Sequence, residues 1–168
     1  AVTAASGATG GKSGVLVIAG TGSIAVRVSE TGETAFSGGL GPMIGGDPGS
    51  AFWMVSQAMI AAQRRSCEKG ELGAMGRFLC HEFEVVDFSG MISKVYGLED
   101  GRQRLAGLAA KLVICEDPLV LEMWRSIEID AGKALSDLVC PLLGKTNEET
   151  VDLFVSGSVL THNLNVRN

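Results

Sequence analysis

The chain has 168 residues, 46% of them hydrophobic, and a formal net charge of −5 at pH 7. This length and apolar content exclude a disordered chain and suit one domain with its own core. The acidic balance and scattered basic residues argue against a nucleic-acid partner, because phosphate neutralisation needs clustered cations. The apolar runs are far shorter than a membrane span and the N-terminus lacks a signal-peptide pattern, so we expect no membrane association.

The chain begins with a short helical end at 1–6 and a loop at 7–13, and a β-hairpin follows. A continuous apolar run, Val15–Ile18, is typical of a strand buried on both faces. The segment Ile24–Val28 alternates branched apolar residues with a small and a charged one, which predicts a strand with one exposed face. A third short strand is predicted at 34–37.

The hairpin turn reads Gly-Thr-Gly-Ser over Gly20–Ser23. Two glycines around Thr21 permit positive φ and close approach of a ligand, while hydroxyls and backbone N–H groups suit phosphate. The turn formally matches the dinucleotide fingerprint G-x-G-x-x-A, but a strand follows where that fingerprint needs a helix. The segment 6–13 resembles a P-loop, yet it lacks the first glycine and precedes the strand. A hairpin turn that contacts the phosphates of a nucleotide is therefore the favoured interpretation.

A loop at 38–50 has six glycines among thirteen residues, a density that no regular element tolerates. Asp47 and Pro48 then predict a helix start, with Asp47 as N-cap and Pro48 at the first helical position, and the helix continues over 51–65. Periodicity and caps predict four further helices, at about 71–83, after Asp87, at 102–115 and at 119–139. The last of these is the longest.

The predicted helix at 119–139 begins after Asp117-Pro118, carries Trp124 on its apolar stripe as a core residue, and ends at Cys140-Pro141. A fourth strand at 151–155 is followed by a turn at Ser156–Ser158 and by the start of another helix.

The cysteines and histidines of the chain give little indication of function. The four cysteines are irregularly spaced, at Cys67, Cys80, Cys115 and Cys140. Buried, reduced thiols are favoured over a metal site or disulfides, which suits a cytoplasmic protein. A surface or helix-end position is favoured for His81 and His162.

Four motifs now point to a family. They are GVLVIAGTGS at 14–23, GGLGPMIGGDPGSAFWM at 38–54, Asp117-Pro118 before a long helix, and VDLFVSGSV at 151–159. Together, in this order and at similar spacing over nearly the whole chain, they resemble the N-acetylglucosamine kinase and BadF/BadG-type ATPase family. That family lies within the superfamily of sugar kinases, actin and heat-shock ATPases.

The resemblance implies an α/β fold with a ribonuclease-H-like mixed sheet, in which an antiparallel hairpin of strands is followed by helices and a parallel strand. A helical insertion is expected at about 70–116. Residues 1–168 are expected to form a single domain, the second, C-terminal lobe of a two-domain actin-like ATPase fold, truncated at both ends.

The resemblance also implies site residues. It assigns ATP to seven positions: Gly20, Thr21, Gly22, Ser23, Gly157, Ser158 and Val113. It assigns a sugar substrate to six positions: Gly38, Gly39, Leu40, Asp47, Ser23 and Ile24. Asp47 would accept hydrogen bonds from sugar hydroxyls, an interaction that a carboxylate makes more strongly than a neutral acceptor. The helix-capping interpretation of Asp47 stays open beside this one.

No catalytic residue and no metal ligand is expected within the chain. The family's catalytic aspartate would lie just before Ala1 and its first phosphate loop in a missing N-terminal domain, so a chain of only these residues is expected to be inactive. Phosphoryl transfer also needs Mg²⁺ with the ATP. Ile24 and Leu40 replace an Asn and a Trp of the family's sugar kinases. Since losing such an Asn costs about 1–3 kcal/mol of recognition, the expectation of N-acetylglucosamine is weaker than that of ATP.

The leading hypothesis is ATP-dependent phosphoryl transfer to an amino sugar, with the sugar, the missing N-terminal domain and a second copy in a homodimer as partners. Two alternatives stay open. One is a non-catalytic ATP-binding or interaction domain, which Ile24 and Leu40 favour. The other is a BadF-type ATPase that drives another protein's redox chemistry, for which no cluster-binding pair of cysteines is visible.

Overall fold

The computed structural model describes residues 1–97, 99–144 and 150–167. Its strands are β1 (Gly14–Ala19), β2 (Ser23–Val28), β3 (Thr34–Gly38) and β4 (Leu153–Ser156). Its helices are α1 (Val2–Thr9), α2 (Ala51–Lys69), α3 (Ala74–Glu82), α4 (Phe88–Tyr96), α5 (Gly101–Val113), α6 (Pro118–Leu143), α7 (Ser158–His162) and α8 (Leu164–Arg167). None of these helices is long and apolar enough to cross a bilayer.

The four described strands form one mixed sheet in the order β3-β2-β1-β4. The pairs β1–β2 and β2–β3 are antiparallel, and β4 lies parallel to β1, with Ile18 opposite Ser156. The predicted mixed α/β architecture, an antiparallel hairpin followed by helices and a parallel strand, is confirmed. The register also places Ser23 in β2, opposite Ala19, so the connection between the first two strands is three residues long.

Both faces of the hairpin are covered. Val17 and Ala25 belong to the large core shared with α2 and α6, while Leu16 and Val26 pack in a second cluster with Ala5 of α1. The predicted exposed face of the second strand is therefore wrong. Alternation of large apolar residues does not by itself mean that the other face is exposed. A small residue such as Ala25 at an intervening position can be buried under a helix.

Two predicted helix ends are wrong. Helix α2 begins after Ser50, whose hydroxyl accepts the Trp53 N–H, so neither Asp47 nor Pro48 starts it. Helix α6 begins as predicted, with Asp117 accepting the Leu119 and Val120 N–H groups, but it runs through Pro141 to Leu143. Pro141 loses its own N–H hydrogen bond, but only two helical residues follow it, so little of α6 lies beyond the distortion that it causes.

The core is built largely by the long helices. Trp124 on α6 is 1% exposed, as its place on the apolar stripe predicted. All four cysteines are free, but the expectation of burial holds only for Cys80, because Cys67 and Cys140 lie on exposed helix faces. Burial raises the pKa of the Cys80 thiol, and the charge of Asp87 adds to this effect.

Candidate functional site

Two glycine-containing turns meet at one edge of the sheet. Because β1 and β4 are parallel neighbours, their carboxyl ends lie side by side, so the turn after Ala19 adjoins Gly157. Gly157 has φ 92°, and a Cβ built on it would lie 2.3 Å from the Ala19 carbonyl oxygen. Only glycine fits there, and the two turns are held in direct backbone contact.

A cavity of about 430 Å³ opens beside these turns. It is lined by residues of α2, α5, α6 and α7 and by Thr21 of the hairpin turn, and most of the lining is apolar. Thr21, Val113 and Ser158, three of the positions assigned to ATP, all line this cavity. The structure therefore brings together Thr21 and Val113, which lie 92 positions apart in the chain, and Val113 and Ser158, which lie 45 apart.

Helix α5 forms one wall of the cavity, and the sequence alone did not assign this role to it. The wall consists of Gln103 and the small residues Ala106, Gly107, Ala109 and Ala110, together with Val113. Small side chains on one stretch of a helix leave room for a ligand against its backbone. The cluster Ala-Gly-x-Ala-Ala was the signal available, but such a cluster equally suits close helix packing.

A buried polar network holds another part of the cavity wall in place. Asn163, which lines the cavity, donates to Glu128 of α6 at 2.7 Å, and Asn165 donates to the other carboxylate oxygen at 2.6 Å. Glu128 is 3% exposed, so these amides supply the partners that a buried carboxylate needs. The network fixes the segment that follows Ser158 against α6.

The hairpin turn uses its glycines differently from the expectation. Gly20 and Gly22 both lie outside the positive-φ region, so the turn does not use the left-handed backbone that its two glycines permit. Gly22 is instead confined by side chains, because an added Cβ would lie 2.8 Å from both Asp47 Oδ2 and Arg102 Nη2. The Gly20 carbonyl accepts the N–H of Ala51 at 2.8 Å, which places the N-terminus of α2 against the turn.

Asp47 is buried beneath this turn. It is 3% exposed and has φ 45°, an uncommon conformation for a residue with a side chain. Its Oδ1 accepts the Gly41 N–H at 3.1 Å, and its Oδ2 pairs with Nη2 of Arg102 at 2.5 Å. The carboxylate that was a candidate helix cap is therefore the anchor of the glycine-rich loop and of an ion pair with α5.

The other positions assigned to a sugar cluster around Asp47. The Ser23 hydroxyl is buried and donates to the Pro48 carbonyl at 2.7 Å, while the Ser23 carbonyl accepts the Gly39 N–H at 3.0 Å. Gly39 has φ 71° and sits so close to Ile24 that a Cβ would lie 2.6 Å from Ile24 Cδ1. Next to it, Gly38 has φ 77° and adjoins Leu138, and Leu40 is 63% exposed.

A second recess, a groove of about 620 Å³, lies on the other side of the start of α5. Its walls are mostly apolar side chains of α2, α4 and α5, among them Phe52, Met59 and Val95. Arg102 lines it as well, with its guanidinium 6.0 Å from the centre of the Phe52 ring. The Asp47–Arg102 ion pair thus lies between this groove and the hairpin turn.

The described carboxylates do not form a metal site of their own. In 1–97, 99–144 and 150–167 there is no group of three or more His, Cys, Asp and Glu side chains arranged to hold a metal ion. Mg²⁺ in phosphoryl-transfer enzymes is held largely by substrate phosphates and waters with one or two carboxylates. Since Asp47 is committed to Arg102, we assign no residue of this chain to Mg²⁺.

Comparison with solved structures identifies the fold. The chain shares the fold of a protein from Chromobacterium violaceum that carries the provisional name N-acetylglucosamine kinase, with a TM-score of 0.71 and 20% identity over 96% of this chain and 53% of that one. A protein from Porphyromonas gingivalis with the same provisional name has a TM-score of 0.64 and 23% identity over 97% of this chain and 53% of its own. The fold is that of these sugar-kinase structures.

A curated sequence relative agrees with the class. N-acetyl-D-glucosamine kinase of Dictyostelium discoideum is 27% identical over 161 residues, which are 94% of this chain and 50% of that protein. No family model matches the sequence. The chain spans about half the length of the curated relative and of the two structures. The predicted resemblance to N-acetylglucosamine kinases is confirmed.

Proposed function

We propose that the protein to which this chain belongs transfers a phosphoryl group from ATP to a hydroxyl of an amino sugar of the N-acetylglucosamine type. One observation carries the proposal. Thr21 lines the cavity of about 430 Å³, and Gly22, the next residue, touches the Asp47–Arg102 pair beside the sugar-assigned loop. A donor site and an acceptor site would therefore adjoin each other across a single turn.

The cavity suits the nucleoside part of ATP. Its largely apolar lining and its volume fall in the range of small-molecule sites, and an adenine ring could lie against the small residues of α5. Thr21 and Ser158 are exposed at its rim and would serve the ribose and the phosphates. The N-terminus of α2, bonded to the Gly20 carbonyl, adds a favourable field for the phosphates.

The acceptor side is centred on Asp47. Its two oxygens offer about four acceptor positions, of which Gly41 and Arg102 occupy two. The remaining positions would bind sugar hydroxyls once the glycine-rich loop at 38–50 adjusts to admit the ring. Gly38 and Gly39, both with positive φ, bring the loop backbone within reach of the same site.

The catalytic base and the first phosphate loop lie, in this proposal, in parts of the protein outside these 168 residues. The curated relative is about twice as long as the matched region, which supports a two-lobe arrangement. The glycine-rich loop also exposes apolar side chains, with Leu40 at 63%, Met43 at 97% and Ile44 at 81%. Such a surface beside the acceptor site suits contact with a facing lobe.

A coupled assay of ADP release tests the proposal on the intact protein. We expect ATP turnover that depends on an added hexosamine, with N-acetylglucosamine among the panel. Ala110→Phe, at an exposed position that lines the cavity, should raise KM for ATP about tenfold, or about 1.4 kcal/mol, and leave KM for the sugar unchanged.

Two results would contradict the proposal in different ways. Nucleotide binding without turnover for any sugar would favour the non-catalytic binding domain, which the apolar Ile24 and Leu40 at the acceptor side already make a specific alternative. An unchanged KM for ATP in Ala110→Phe would place the nucleotide outside this cavity.

A further inference from the structure

Arg102 occupies a position between the two recesses that no motif predicted. It lies in the first turn of α5, whose later residues 103, 106, 107, 109 and 110 line the cavity, while its own side chain lines the groove. Its Nη2 atom is 2.8 Å from the point where a Cβ of Gly22 would lie. The guanidinium is therefore in contact with the hairpin turn one residue beyond Thr21.

The guanidinium is held in place rather than free to move. Asp47 is 3% exposed and an ionised carboxylate at that depth needs a cationic or N–H partner, which Arg102 and Gly41 provide. The Phe52 ring, 6.0 Å from Arg102 Cζ, supports the group from another side. A side chain held by Asp47 of the glycine-rich loop and by Phe52 of α2 is preorganised for a ligand.

Arg102 also retains capacity to bind. Its side chain is 40% exposed, and among the described residues Asp47 is its single hydrogen-bond acceptor. A guanidinium has five N–H donors in a planar fork that matches the oxygens of a phosphate. Since one donor is used by Asp47, the others can meet an anion placed against the turn.

We propose that Arg102 is a catalytic residue that contacts the terminal phosphoryl group of the bound nucleotide, an inference that rests on the proposed function. A phosphate chain that leaves the cavity at Thr21 and runs toward the acceptor side passes Gly22, and Arg102 is the cation at that point. In the transfer, the bond from the sugar oxygen to the γ-phosphorus forms and the bond from that phosphorus to the bridging oxygen of ADP breaks. The hydroxyl proton goes to the catalytic base, which in the proposed function lies outside these 168 residues.

Arg102 exchanges no proton in this step. It stabilises the negative charge on the oxygens of the group in transit, which is the main task of a protein in phosphoryl transfer. Asp47 then has two roles, since it fixes the guanidinium on the donor side and binds hydroxyls on the acceptor side. This would align the two reactants across one ion pair.

Nucleotides with and without a terminal phosphoryl group provide the test, on the intact protein. For Arg102→Gln we expect the Kd of a non-hydrolysable ATP analogue to rise at least fivefold while the Kd of ADP stays within twofold, both by calorimetry. We expect kcat to fall at least a hundredfold, with a smaller loss in Arg102→Lys, which keeps the charge without the fork. Arg104→Gln, an exposed arginine two positions along α5, is the matched control and should change neither constant.

Removing the cation leaves Asp47 buried without its partner, so the double variant Asp47→Asn/Arg102→Gln is measured beside the single one. The double variant should show the same selective loss of affinity for the ATP analogue, with a melting temperature closer to that of the wild type. Equal weakening of ADP and the analogue, or a raised KM for the sugar with both nucleotide constants unchanged, would overturn the inference. Failure of the wild type to bind any nucleotide would instead overturn the proposed function and the inference with it.

Discussion

Gly157 and Gly22 both lie at the edge of the sheet where β1 and β4 end, yet they are glycines for different reasons. A Cβ at Gly157 would meet backbone, the Ala19 carbonyl oxygen at 2.3 Å, and φ there is 92°. A Cβ at Gly22 would meet the tips of two side chains, Asp47 and Arg102, at 2.8 Å. Backbone cannot yield without moving the sheet, whereas side chains can. The first glycine is therefore a requirement of the fold, whereas the second is required by the position of the Asp47–Arg102 pair.

The largest effect in this comparison is expected for Gly157→Ala. The positive φ and the overlap with a strand carbonyl add up to a loss of about 3 kcal/mol or more in the free energy of unfolding. Calorimetry of the intact protein would show this as a strongly lowered melting temperature. A melting temperature within a degree or two of the wild type would mean that the two turns are not in contact.

Gly22→Ala should lower activity much more than it lowers stability. Because Asp47 and Arg102 can shift by part of an ångström, we expect a stability loss of about 1 kcal/mol. The displaced ion pair should lower kcat/KM for ADP release by about ten- to a hundredfold. A stability loss as large as that of Gly157→Ala would show that Gly22 is also a requirement of the fold.

Gly20→Ala is expected to have the smallest effect and serves as the control within the same turn. No heavy atom lies within 4 Å of a Cβ built there, and its φ is outside the left-handed region. We expect the free energy of unfolding to change by less than about 0.5 kcal/mol in a denaturant titration. A larger loss would indicate that the turn tolerates no side chain at any position. The effect of Gly22→Ala could then not be attributed to Asp47 and Arg102.

The sequence predicted the parts of the molecule that depend on local patterns. The buried run Val15–Ile18, the hairpin turn and the Asp117-Pro118 helix start each have a short-range signature, and the structure contains all three. Asp47 shows where such signatures mislead. An Asp-Pro pair is a good helix start, but Ser50 is an equally good cap three residues later, and the positive φ of Asp47 is set by its partners across the fold.

Contacts between distant elements were beyond prediction. Arg102 is 55 residues from Asp47 and lies in a helix that sequence periodicity presents as an ordinary amphipathic segment. The resemblance to sugar kinases assigned Thr21, Val113 and Ser158 to ATP, and all three line one cavity. It assigned no role to the first turn of α5. Side chains that contact each other only in the folded state have no characteristic spacing in the sequence, so no pattern predicts their contact.

Helix α5 bears on both recesses at once, and that has a thermodynamic consequence. A rigid rotation of this helix would widen one recess and simultaneously move the cation beside the other, so neither could change shape alone. Occupancy of the two recesses would then be linked, with a ligand in either one altering the affinity of the other for its own ligand by the same factor. A helix that packs beside the sheet as a peripheral addition would then be the element that couples the two recesses.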